Sequence, residues 1–281
     1  MAQHGFWPKV FIQWGPHAYK MRGQLEPFGS FRIVRFHWFT GPTVGSMLKQ
    51  FNRVNRLTVK LVGPTDPRYF MGNFFLQTDL HPGTKMMLQL PQTTNEAMFL
   101  PRQVADSIPF SSKKLPEILN RLLVKEKSAE AELMKKEIEE CEEATMDGES
   151  RFCATSLESL IDFRTSKLGR NVNVLTNEVK TGSQEYEFGV GMKKIADKSV
   201  VCHKMNYPYA VFYFHTFSKT RTYMIPLVGA DGSKSKAMAA CHSDTSAWHP
   251  QHVAFQVLKI KPGTVPVCHF LHNNAMVWIP K

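Results

Sequence analysis

The tightest constraint in this sequence is a ladder of Cys-His dipeptides near its C-terminal end. Cys202-His203 is followed after ten residues by Phe214-His215, after a further 25 by Cys241-His242, and after another 25 by Cys268-His269. Eight residues then separate His269 from Trp278. Five Cys and eleven His in 281 residues would give about 0.2 such dipeptides by chance, so three at near-regular intervals form a pattern. On a β-strand, neighbouring side chains point to opposite faces. A dipeptide on a strand sends its thiol one way and its imidazole the other. The pattern predicts one face stapled by disulfides and another on which His203, His215, His242 and His269 converge on a common metal ion. Imidazole nitrogen suits copper, zinc and nickel. A set without thiolate tolerates Cu(II), which would oxidise a bound thiol.

The five cysteines are Cys141, Cys153, Cys202, Cys241 and Cys268. An odd number allows at most two intramolecular bridges and leaves one thiol. Cys141 and Cys153 are close enough in sequence to pair, but spacing alone leaves the connectivity open. His249 and His252 flank Pro250 near Trp248 and read as loop residues, as do His81 and His272. Asp244 reads as a turn residue, with an outer acceptor role for His242 as the alternative. Tyr207, Tyr209 and Tyr213 read as core. No Gly-rich phosphate loop, Cys-x-x-Cys or Gly-x-Ser-x-Gly sequence occurs, so nucleotide binding and serine hydrolysis have no support.

The net charge of +11 is unevenly placed. Residues 1–60 carry nine Lys/Arg and one acid, Glu26, while the rest holds 26 bases and 23 acids. The charge thus lies outside the part that reads as folded, which argues against a nucleic-acid partner. No apolar run reaches the length of a membrane span, and the N-terminus lacks the apolar core of a signal peptide. Residues 1–65, rich in Gly and Pro, read as an irregular basic segment, either disordered or from a mis-assigned exon. The domain occupies 66–281.

Within it, short strands are expected at 74–76 and 85–90 around His81-Pro82-Gly83. Ser111 or Ser112 should cap a helix with Pro116 in its first turn and Leu115, Ile118, Leu119 and Leu122 on its apolar face. Ser128 should open a second, with Leu133, Met134, Ile138 and Cys141 inward and Glu137 and Glu140 wet. Thr155 to Glu158 fits a capping box for a third, ending at Gly169. From Asn171 the period is two, with strands expected at 171–179, 184–190, 208–216, 221–227, 236–242, 252–259, 265–270 and 275–279. The expected class is α+β, mostly β: short helices followed by a run of antiparallel strands.

The ladder and its closing Trp278 resemble the plant BURP domain, defined by four Cys-His dipeptides at about these intervals. Asp79–Lys85, Phe99–Ser112, Phe152–Phe163 and Asn206–Tyr213 are similar to the same family, so the resemblance covers about residues 70–281. The wording is most like the dehydration-responsive members. Phe214 departs from the pattern, standing where the family has Cys; a cysteine there would complete a set of six. The resemblance implies copper as the metal and an extracellular, cell-wall or vacuolar location. It also implies links to seed development and to drought or salt response. Three roles follow from it. The first is a non-enzymatic secretory-pathway protein binding a wall component. The second is a copper-dependent autocatalytic cyclase that crosslinks Tyr or Trp of its own or another peptide. The third is a non-catalytic subunit of a wall polysaccharide-degrading enzyme. The upstream segment holds Trp7, Trp14, Tyr19 and Trp38 without the repeated motif of self-cyclising members, which favours the first.

Overall fold

The computed structural model describes residues 73–281, apart from 91–96, 178, 180–182 and 274. The irregular segment expected at 1–65 lies outside the described residues. The strands are β1 (Phe74–Leu76), β2 (Lys85–Gln89), β3 (Glu149–Ala154), β4 (Val172–Thr176), β5 (Ser183–Phe188) and β6 (Lys193–Ala196). They continue as β7 (Val200–Lys204), β8 (Phe212–Phe217), β9 (Thr220–Gly229), β10 (Lys234–His242), β11 (Val267–Phe270) and β12 (Met276–Pro280). The helices are α1 (Arg102–Ala105), α2 (Leu115–Leu122), α3 (Ala129–Glu142), α4 (Leu157–Leu168) and α5 (Val253–Leu258). The fold is α+β and mostly antiparallel β, as the periodicity predicts.

The strands make two sheets. One runs β3-β8-β7-β12-β4; the other runs β1-β11-β10-β9-β5-β2, with β6 also on β9. In the first, alternate residues Val200, Cys202, Phe212, Phe214 and Trp278 pack under Leu157, Leu160 and Ile161 of α4. The opposite face puts Val201, Val277 and Ile279 against Met238 and Ala240 of β10, so the two sheets share a core. The second sheet curls round a core of its own. Phe75 on the edge strand β1 reaches Phe188 on β5, ring centroids 5.5 Å apart, and Cys241 and Cys268 belong to that core. Helices α1 to α3 form a satellite around Tyr207 and Tyr209, both fully buried.

Local details depart from expectation where two readings of one stretch compete. Segment 252–259 is a helix and not a strand. Val253, Phe255 and Val257 mimic period two, but the buried residues are Ala254 and Phe255 with Leu258 packed beside them, a helical grouping, and His252 caps it. Ser111 and Ser112 do not cap α2, whose N-cap is Lys114; their hydroxyls donate to Glu142 at the end of α3 instead. Ser128 accepts the Ala131 N–H at 3.1 Å and caps α3 as expected. Helix α4 is capped one residue later than expected, by Ser156, which accepts the Ser159 N–H at 3.1 Å. Starting there turns Leu157, Leu160 and Ile161 inward.

Candidate metal centre

Both rungs on each sheet are built the same way. In the β7–β8 pair Cys202 lies directly across from Phe214, with Val201 opposite His215 and His203 opposite Tyr213. In the β10–β11 pair Cys241 lies across from Cys268, with Ala240 opposite His269 and His242 opposite Val267. The two first-of-dipeptide side chains therefore face each other on one side of the sheet. The two imidazoles are diagonal neighbours on the other, within reach of long or aromatic side chains. Cys241–Cys268 is a disulfide, as is Cys141–Cys153, and Cys202 is a buried free thiol. The count of two bridges and one thiol follows the odd number of cysteines. Phe214, fully buried, occupies the place across from that thiol.

The imidazoles lie in the layer between the sheets and meet two by two. His203 Nε2 is 3.1 Å from His215 Nε2, and His242 Nε2 is 3.3 Å from His269 Nε2. The Phe217 ring touches both pairs, 5.5 Å from His215 and 5.0 Å from His242. Among the described residues, no three His, Cys, Asp or Glu side chains are gathered so as to share one ion. The grouping is in pairs because each pair is held within its own sheet.

Burial keeps these rings neutral. It depresses His215 and His269 from the ordinary 6.5 to about 4. His203 and His242 are driven well below 6.5 by burial and then by neighbouring imidazoles. A neutral ring offers a lone pair, and the second nitrogen decides which one. His269 Nδ1 lies 3.3 Å from the Phe270 carbonyl, which can only accept. The proton thus sits on Nδ1 and Nε2 is bare. His242 Nδ1 lies 2.8 Å from the Thr220 hydroxyl, which can donate or accept. In the metal-free protein His242 can donate from Nε2 to His269; with an ion present Thr220 can accept from Nδ1 instead.

The donor set fits a metal. Two metal–nitrogen bonds of about 2.0–2.1 Å meeting at about 105° place their nitrogens about 3.3 Å apart, the separation found in each pair. His203 with His215 and His242 with His269 would hold it. Trp278 lies on the opposite face of its sheet, 3% exposed, under the Arg164 guanidinium at 5.1 Å; it serves the thiol-side core. Asp244 is a turn residue, accepting from the Ser246 N–H at 3.0 Å and pairing with Lys219 at 2.7 Å. His81 bonds its own turn. His249 accepts the Gln251 N–H in a loop. His272 lies edge-on to His203, ring centroids 6.0 Å apart. Tyr213 packs 5.4 Å from His215 with Arg151 over its ring. Thr220, Phe217 and Trp248, which is 4.9 Å from His242, were not foreseen. Only Phe217, two residues after His215 and so on its face, carried a sequence signal.

Comparison with known proteins agrees with this architecture. The BURP domain family matches residues 73–280. BURP domain protein RD22 of Arabidopsis thaliana is 49% identical over 214 residues, 73% of this chain and 55% of that protein. BURP domain-containing protein 3 of Oryza sativa subsp. japonica is 49% identical over 213 residues, covering 73% of this chain and 50% of its own length. Protein RAFTIN 1A of Triticum aestivum is 37% identical over 212 residues, 73% and 54%. The chain spans about half the length of these curated plant relatives. With the match covering nearly all of the described fold, the chain belongs to the BURP domain family.

Proposed function

We propose that this is a copper-binding, non-enzymatic BURP domain protein of the plant secretory pathway or cell wall, acting in development and in drought or salt response. The observation that carries the copper reading is the repeated pair of neutral imidazoles with Nε2 atoms 3.1 and 3.3 Å apart. The absence of thiolate from either pair suits Cu(II), and copper would supply one-electron redox chemistry there. Two disulfides among five cysteines support an oxidising compartment. Titration of the purified chain with Cu(II), followed by electron paramagnetic resonance, tests the site. Two ions per chain are expected, falling to one in His203→Ala and one in His242→Ala. Uptake unaltered by both substitutions together would remove the assignment.

One observation favours a second reading, autocatalytic crosslinking. Strand β1 begins beside the site, with the Phe74 ring 5.7 Å from His269, so the upstream chain joins the domain there. Each oxidative crosslink removes two hydrogen atoms. Peptide mass mapping after aerobic incubation with copper should show no such loss if the protein is non-enzymatic. A loss confined to a Tyr- or Trp-containing peptide upstream of Phe74 would establish the cyclase instead.

A further inference from the structure

A fifth imidazole borders the His242–His269 pair. The Trp248 ring lies 4.6 Å from His252 and 4.9 Å from His242. The Phe74 ring lies 5.9 Å from His252 and 5.7 Å from His269. Two aromatic rings therefore each touch His252 and one member of the pair. His252 is half-buried, and its ring is held by the backbone: as N-cap of α5, Nδ1 accepts the Ala254 N–H at 3.2 Å.

That bond sets the tautomer. A ring nitrogen that accepts an N–H bond carries the lone pair, so the proton of the neutral ring resides on Nε2. Among the described residues Nε2 has no hydrogen-bond partner. Ligation through Nε2 would require the proton to move to Nδ1, which would break the helix cap. The cap thus makes His252 a poor metal ligand and a fixed donor.

We propose that His252 is a positioning residue: its Nε2–H donates a hydrogen bond to a small anionic or oxygen ligand held at the His242–His269 pair, and it does not bind the metal itself. This rests on the copper reading of that pair. The fixed donor orients such a ligand in the way that a preset hydrogen bond orients any bound anion.

The test uses His252→Asn. Asparagine is as good an N-cap acceptor, so α5 is retained while the Nε2 donor is lost. Copper uptake is measured first, and then azide is titrated into the copper-loaded protein and followed by its charge-transfer absorption. Copper affinity is expected to stay within about twofold, and azide affinity to fall about tenfold or more, the range for a hydrogen bond to a charged group. Equal azide affinity in both proteins overturns the proposal, and so does loss of copper affinity in the variant, which would make His252 a ligand. A wild-type chain that takes up no copper fails the copper reading and leaves His252 no ligand to position; copper uptake with unchanged azide binding fails His252 alone. Nitrogen-correlated imidazole NMR of the metal-free protein gives an independent reading. The Nε2–H tautomer is expected, and an Nδ1–H tautomer overturns the proposal whatever copper does.

Discussion

At position 214 a phenylalanine stands across the β7–β8 pair from Cys202, in the place that Cys268 takes opposite Cys241. Its ring is fully buried and packs edge-on against Phe163, centroids 5.7 Å apart. A bridge here would close a short loop, worth about 3 kcal/mol. Removing a buried phenylalanine costs about 3–5 kcal/mol. The two nearly cancel, so Phe214→Cys is expected to change stability by less than about 2 kcal/mol while abolishing the free thiol. Thiol titration in denaturant without reductant should find one thiol in the parent and none in the variant; two thiols in the variant would contradict the register. The alternation of Cys and His was legible in the sequence because period two needs only neighbours. The role of Thr220 was not, because its contact with His242 depends on the β9–β10 register.

Elements were legible where one pattern dominated. Helix α3 announced itself through Ser128 and its run of good helix formers, and β8 to β12 through their alternation. Helix α5 was hidden because Val253, Phe255 and Val257 fit a strand equally well over so short a stretch. Strands β3, β6 and β7 were missed: each is four to six residues long, and charges or a preceding helix signal obscured them. Helix α3 also shows how a narrow apolar face is secured. Ala131, Met134 and Ile138 are its buried residues, and the Cys141–Cys153 bridge ties its last turn to β3. Replacing both cysteines by serine is expected to cost about 2–3 kcal/mol in a urea melt. The His242–His269 pair belongs to the other sheet, so its copper uptake should be unaffected, whereas Cys153 stands opposite Tyr213, which packs 5.4 Å from His215. A loss below about 0.5 kcal/mol would show that Glu142 and its serines suffice.

For the whole molecule, the buried imidazole layer makes the metal-free fold sensitive to acid. The unfolded chain takes up protons near 6.5, whereas His215 and His269 in the fold resist until about 4. Their contribution is complete above about pH 6.5 and is lost as pH falls toward 4, about 3 kcal/mol for each ring. Glu137 works in the opposite sense. Burial and then Glu140 push its carboxyl up to about 7, so its contribution is lost as pH rises from 4.5 to 7. Urea melts of metal-free Glu137→Gln at pH 7 and pH 4.5 remove this opposing carboxyl. The midpoint should drop at the lower pH, and an unchanged midpoint would mean that the rings are already charged at neutrality. The partition into two pairs has a consequence in time as well. His203 and His215 are 12 residues apart and His242 and His269 are 27, and each pair is closed within a single sheet. Contacts of such low order form early in folding. Each imidazole pair is therefore expected to close before the two sheets dock, which pulsed hydrogen exchange during refolding would show as protection of the β7–β8 and β10–β11 amides ahead of those that face the other sheet.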